Sequence, residues 1–219
     1  MRNLIIFGDT SFAERLSLYI ETEKIDKVIA FTQEKKFISR KEINGLPIIP
    51  FDELDDKFSD FEIIIGIGYS NMNKLRAHIF DICKKRYKIG SYISSKATVY
   101  TSSIGEGVFV MPCVHIGPGC RIGNGCIFES ATVLTHDITV GKFNYISANA
   151  TIGGHATIGD NCFIGLSATI KNNISIEGFT LVGASANCVK TIKGFGRGGV
   201  IYGNPAKLIE GKDPFTLMI

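Results

Sequence analysis

The sequence predicts two differently built halves: a small parallel α/β domain, then a β-solenoid assembled from six-residue units. Three observations carry this. Apolar runs alternate with helix-period segments up to about residue 90. An apolar residue then recurs at every sixth position from Ile104 to Cys188. Most of the 24 glycines fall after residue 100.

The front half reads in order as strand (3–7), helix (12–22, with Phe12, Leu16 and Tyr19 at helical spacing), strand (27–32), strand (46–49), strand (61–67) and helix (73–86). Residues 87–93 lead into the solenoid. Strands alternating with helices specify a parallel sheet. Ligands of such sheets lie beyond the carboxyl ends of the strands. Here those ends carry Gly8, Asp9, Thr10 and Ser11, then Thr32 and Gln33, then Gly68 and Tyr69. A glycine turn opening a helix presents backbone N–H groups to phosphate. GDTSF is not GxGxxG, and no acid ends the second strand to hold a ribose. These features disfavour a dinucleotide and suit a nucleotide carrying a sugar, which needs only part of the crevice.

The repeat comprises fifteen apolar positions, none charged, in register from Ile104 to Cys188. Small residues stand two before most of them, as at Cys126, Ala150, Ala156 and Ala168, and glycine often follows, as at 105, 117, 141 and 159. Each unit reads as a short flat strand with one bulky side chain inward and then a tight turn. Glycine is expected in that turn for its tolerance of positive φ. Stacked coils pair every backbone group with the coil above and below.

Composition narrows the function classes. The chain has 219 residues, 45% hydrophobic and 21% charged, which is ordinary globular composition and room for two modest domains. A net charge of +3 is too small to argue for nucleic acid or an anionic membrane as partner. Apolar runs such as 63–67 are far short of a membrane span. The apolar part of MRNLIIFGD is too short for a signal peptide, so a cytoplasmic location is expected. The six cysteines contain no CxxC pair, which argues against a zinc site. They are expected to be small inward side chains rather than disulfides or nucleophiles.

The repeat resembles that of the hexapeptide-repeat acyltransferases. The resemblance implies a left-handed parallel β-helix in which three hexads make an eighteen-residue triangular coil. Fifteen hexads then give about five coils, and a homotrimer is the expected assembly.

Of the four histidines, His78 lies in a helix and reads as surface or packing. His115, His136 and His155 fall in the solenoid at separations of twenty-one and nineteen, so no two are expected to stack at the coil period. The hexapeptide-repeat carbonic anhydrases have a histidine pair five apart; no HxxxxH occurs here, so no metal is expected. His136-Asp137 stands four residues before inward Val140, at or near a turn and facing outward. Beside the plain reading as a solvated turn, the pair has the makings of a general base with a supporting carboxylate.

The α/β front end, the solenoid, His136-Asp137 and the segment GNPAK (203–207) together resemble the bacterial nucleotide-sugar acetyltransferases, a group that includes the bacillosamine, perosamine and viosamine N-acetyltransferases and the sialate O-acetyltransferases. The resemblance implies residues 1–93 as a nucleotide-sugar-binding domain and 94–219 as the acetyltransferase β-helix with its tail. It implies acetyl-CoA as co-substrate, His136 as base and Asp137 as the acid that strengthens it. The acceptor is a nucleotide-linked 4-amino-4,6-dideoxysugar, thymidine-linked by preference with uridine or guanosine as alternatives. Tyr145 occupies the place of a histidine near the thioester. Gly154, Leu166 and Ala184 line the pantetheine path, Lys190, Arg197 and Lys207 meet phosphates, and a backbone N–H of Gly153-Gly154 faces the oxyanion. His155, eighteen after Asp137, is the rival base. O-acetylation of a sugar such as sialic acid and a non-catalytic binding solenoid are the alternatives.

Overall fold

A computed structural model describes residues 1–193 and 198–216. In the front half, β1 (Asn3–Phe7) is flanked by β2 (Lys27–Gln33) and β5 (Glu62–Ile65), with β4 (Leu46–Pro50) beyond β2, all parallel. A short β3 (Glu42–Ile43) pairs antiparallel with β4. Its turn, Asn44-Gly45, has both residues at positive φ, 51° and 75°, the conformation that suits a tight hairpin. The sequence pattern missed this strand because two residues carry no periodicity. Helix α1 (Ser11–Glu23) begins where the Thr10 hydroxyl accepts the Ala13 N–H at 3.2 Å, an N-cap. It buries Phe12, Leu16 and Ile20, one every four residues, and ends at Lys24 with φ 54°. Helices α2 (Leu54–Lys57) and α3 (Lys74–Lys84) complete this half.

The second half is a left-handed β-helix. Its first face stacks Tyr92–Ile93, Phe109–Val110, Ile127–Phe128, Tyr145–Ile146, Phe163–Ile164 and Leu181–Val182, and continues into Val200–Gly203. The second face includes His115–Ile116, Val133–Leu134 and Thr151–Ile152; the third includes Thr139–Val140 and Thr157–Ile158. Pairing is parallel and eighteen residues apart through the middle coils, as in Val133↔Thr151 and Thr139↔Thr157. The inward positions from Val110 to Cys188 are all buried, at 5% exposure or less.

Two expectations are corrected. Six strands, not five, stack on the first face before Val200. The extra coil was hidden because it is one residue short. Val99 pairs with Ile116, seventeen on, whereas Ile104 pairs with Ile122, eighteen on, so counting back by sixes from Ile104 lands out of phase. The glycines after the inward residues also serve a different purpose. Those at 105, 117, 123, 141, 153, 159, 165 and 183 do not have positive φ; that conformation falls two residues later, at Gly107, Cys113, Gly119, Gly125, Ala131, Asp137 and so on to Ser185. The glycines answer crowding instead. A Cβ at Gly117 would lie 1.5 Å from the Thr135 carbonyl oxygen of the next coil.

Cys83, Cys120, Cys126, Cys162 and Cys188 are buried, and burial pushes the Cys126 and Cys188 thiols up to about 11. Cys113 departs from expectation. It occupies a corner at φ 63° and is exposed. Among the described residues, no helix is long and apolar enough to cross a membrane.

The two halves are pinned together by α3. Arg76 is 1% exposed and donates to the carbonyls of Ile67, Gly68, Gly125, Phe143 and Asn144. Burial without a carboxylate partner lowers its pKa to about 10. Beside it Asn71, Met72 and Asn73 all have positive φ. Asn73 donates to the Cys162 carbonyl at 3.0 Å, and Asn161 returns a bond to the Met72 carbonyl at 3.2 Å. The loop carrying Gly68 and Tyr69 is thereby fixed to the third, fourth and fifth coils.

Candidate active site

The corner between the second and third faces carries the histidine–acid pair. Its left-handed positions form a column at eighteen-residue steps, Gly119, Asp137, His155 and Asn173, with φ from 54° to 73°. A parallel column one residue earlier holds His136, Gly154, Asn172 and Lys190. The corner backbone therefore fixes where each side chain leaves the coil. His136 Nδ1 lies 2.9 Å from Asp137 Oδ2, and both side chains are half exposed. The bond from His136 holds the Asp137 carboxyl below its ordinary range, reinforced by the charges of His155, His136 and Arg121 against a desolvation effect. An ionised Asp137 accepts from Nδ1 in the His136 tautomer that leaves Nε2 as acceptor.

His136 and His155, one position out of the coil register, nevertheless meet at this corner. Their ring centroids are 5.1 Å apart and the rings meet edge to face at 87°. His136 leaves its coil one position before the left-handed residue and His155 leaves at it, so the rings converge. Gly154 leaves the room: a Cβ there would lie 2.5 Å from His136 Cε1 and Nε2. Gly119 does the same for Asp137, with a Cβ 2.2 Å from Oδ1. Of the two backbone donors beside the ring, the Gly153 N–H is spent on the Ile170 carbonyl at 2.8 Å. The Gly154 N–H meets no acceptor among the described residues.

A second constellation lies on the first face, where the α/β domain docks. A cavity of about 550 Å³ beside α1 includes Leu18, Tyr19 and exposed Cys113. A neighbouring one of about 380 Å³ brings together Tyr69, Tyr145 and Leu166 with Arg15, Glu129 and Phe163. The Tyr145 ring stacks on Phe163 at 5.5 Å and meets the edge of Tyr69 at 5.0 Å. Its hydroxyl donates to Glu129 Oε1 at 2.6 Å, and Arg15 Nη2 lies 2.5 Å from the same oxygen. Burial and the Glu129 charge push the Tyr145 phenol well above its ordinary range. Sequence reading missed Glu129 and Arg15. An acid directly after inward Phe128 was the only signal for the first, and nothing in the sequence linked it to a helix 114 residues away.

At the strand ends, the turn of Gly8, Asp9, Thr10 and Ser11 lies against Gly66, on the segment that leads to Gly68 and Tyr69. The Thr10 hydroxyl donates to the Gly66 carbonyl at 2.9 Å, and Arg40 donates to the Asp9 carbonyl at 2.7 Å. Thr32 is fully buried with its hydroxyl on the Ile49 carbonyl, so it offers no atom at the surface. Gln33 accepts the Glu34 N–H. Leu166, Ala184, Lys190 and Lys207 are exposed; Arg197 lies outside the described residues. The residues expected along one cofactor divide in two. Gly154 and Lys190 share the His136 column, whereas Tyr145, Leu166 and Ala184 lie on the first face and its adjoining corner. The structure does not bring these groups together within one chain.

Residues 101–136 and 137–172 match the family model of the bacterial transferase hexapeptide (six repeats). Both matched stretches lie within the solenoid. Solved structures resemble the chain over nearly its whole length, the α/β half included. The acetyltransferase domain of PglB from Neisseria gonorrhoeae, in complex with acetyl coenzyme A, is 24% identical with a TM-score of 0.81, covering 95% of this chain and 99% of that one. PerB from Caulobacter crescentus, in complex with CoA and GDP-perosamine, is 22% identical with a TM-score of 0.81, covering 94% and 97%. WeeI from Acinetobacter baumannii is 18% identical with a TM-score of 0.78, covering 95% and 100%. At such identities the likeness establishes the fold: a hexapeptide β-helix preceded by an α/β domain.

Proposed function

We propose that the protein transfers the acetyl group of acetyl-CoA to the amine of a nucleotide-linked 4-amino-4,6-dideoxysugar, with His136 as general base. The observation that carries this reading is the exposed His136–Asp137 pair, 2.9 Å apart, beside a glycine whose N–H meets no acceptor among the described residues. His136 Nε2 takes a proton from the sugar amine as its nitrogen attacks the thioester carbonyl. Asp137 stabilises the imidazolium that forms. The Gly154 N–H donates to the oxygen that gains charge. The carbon–nitrogen bond forms, the carbon–sulfur bond breaks, and the departing thiolate takes the proton back from His136. No acyl-enzyme is required. The PglB and PerB complexes, which hold acetyl-CoA or CoA and, in PerB, GDP-perosamine, support the substrate pair.

The division of cofactor residues between two edges of the coil supports a homotrimer. In it the His136 column of one copy faces the first-face corner of the next, with CoA in the groove between. The α/β crevice takes the nucleotide, and the reaction takes place in the cytoplasm.

The test follows free-thiol release with acetyl-CoA and a panel of nucleotide-linked amino sugars. Rapid release with one amino sugar, lost in His136→Ala, is the expected result. Release only with a hydroxyl acceptor such as sialic acid replaces the N-transfer reading with O-transfer. Nucleotide-sugar binding without turnover replaces it with a binding module.

A further inference from the structure

We propose that His136, Asp137 and His155 form a zinc-type metal site, and that a divalent transition metal bound there switches the transferase off by occupying its base. The inhibitory half rests on the role proposed for His136; the binding half does not.

Each of the three side chains offers a ligand atom, and these atoms lie within 4.8 Å of one another. Two imidazoles and a carboxylate are the donor set that zinc accepts with a fourth position left open. Ligand atoms around a tetrahedral zinc at 2.0–2.1 Å stand about 3.4 Å apart, so the cluster must contract by only about 1.4 Å at most. All three residues are exposed, so rotamer changes can supply that contraction without moving the backbone. The backbone is the preorganised part. Asp137 and His155 occupy the same left-handed position on successive coils, at φ 54° and 59°, and the coils are joined there by the His155 N–H on the His136 carbonyl at 3.2 Å. Three donors converge from two hydrogen-bonded coils, beside Gly154, which adds no bulk against the His136 ring. Zinc, rather than calcium or magnesium, follows from the two nitrogens, since the latter ions take oxygen. A bound metal would hold the imidazole lone pairs and the carboxylate together, so His136 could neither accept a proton nor lean on Asp137.

The experiment titrates metal-free full-length protein with zinc chloride in a calorimeter, beside His155→Asn, Asp137→Asn and His115→Asn. Asparagine already occupies the equivalent left-handed positions at 149, 161 and 173, so the first two variants keep the corner. The expected result is about one zinc per chain in the wild type, an affinity at least about tenfold weaker in both corner variants, and no change in His115→Asn. Absence of zinc uptake by the wild type, or equal uptake by His155→Asn, overturns the site. Thiol release with the accepted amino sugar then reads the second half: zinc should suppress it at the concentrations that fill the site, and a chelator should restore it. Full turnover with the site filled overturns the inhibitory role. If no acceptor supports turnover in chelator-treated protein, the transferase reading fails while the calorimetric result stands.

Discussion

The corner that carries His136 and the face that carries Tyr145 are made from the same six-residue unit but acquire their chemistry in different ways. At the corner every partner is local in the coil sense. His136 and Asp137 are adjacent, His155 is one coil on, and Gly119 and Gly154 clear the space. On the face, Tyr145 and Glu129 are completed by Arg15 and Tyr69 from the α/β domain. The corner is thus exposed and self-contained, whereas the face is buried and exists only once the two halves dock. A solenoid can carry a reactive group on its own backbone, but a shaped pocket here needs a second domain to close it.

The sharpest way to break this comparison is to act on each region separately. His136→Ala should lower turnover by about two to four orders of magnitude, the usual scale for losing a general base. Its half-exposed side chain predicts an unchanged melting temperature and oligomer size. A loss of assembly by light scattering would show that the corner is structural after all. Arg76→Met should have the converse signature. It leaves up to five buried carbonyls without their donor and should cost about 3–5 kcal/mol in urea unfolding. Undocking would also take the Tyr69–Tyr145–Glu129 cluster apart, while His136 and Asp137 keep their contact by NMR.

A smaller effect is expected for Glu129→Gln. Losing the charge opposite Arg15, with only a neutral amide oxygen left to accept from Arg15 and the Tyr145 hydroxyl, should cost about 1–3 kcal/mol and raise KM more than it lowers kcat. A kcat loss equal to that of His136→Ala would place Glu129 in the proton transfer itself. The smallest effect should come from Asp26, remote from both regions. Burial raises its pKa, but hydrogen bonds and charge from Arg2 outweigh burial and lower it. A carboxylate with a depressed folded pKa contributes stability above its unfolded pKa of about 3.9 and loses it as pH falls through the folded value. Asp26→Asn should therefore be less stable than wild type at pH 7, by about 1 kcal/mol or less because Arg2 is half exposed, and the gap should close below about pH 4.

How much could be read from the sequence follows the same division. The inward register from Ile104 to Cys188 was plain because burial repeats every six residues. The His136–Asp137 pair was plain because its partners are neighbours. The first coil escaped because a single missing residue puts Tyr92 and Thr98 out of step. The eighteen-residue step from Asp137 to His155 brought the second histidine to the pair, but not its ring contact with His136, because side chains leaving from adjacent corner positions meet at nineteen. The role of the glycines was misread because crowding by the next coil is invisible along one strand. Arg15 and Arg76 gave no sign at all. Their partners across the domain junction lie 49 to 114 residues away, and nothing local marks Arg76 as buried.

The left-handed column at the corner has a consequence of a different kind. It seats Gly, Asp, His and Asn, and the equivalent positions at the other corners add Cys, Ala, Phe and Ser at the same backbone conformation, so the conformation is dictated by the coil and not by the residue seated in it. Transplanting His-Asp from 136–137 to 154–155 or 118–119 would move the pair by one coil, about 4.8 Å, the spacing of neighbouring strands. The solenoid is in that sense a graduated scale. A series of such transplants, with the original pair removed, would locate the reacting carbonyl along the groove by the coil at which turnover returns.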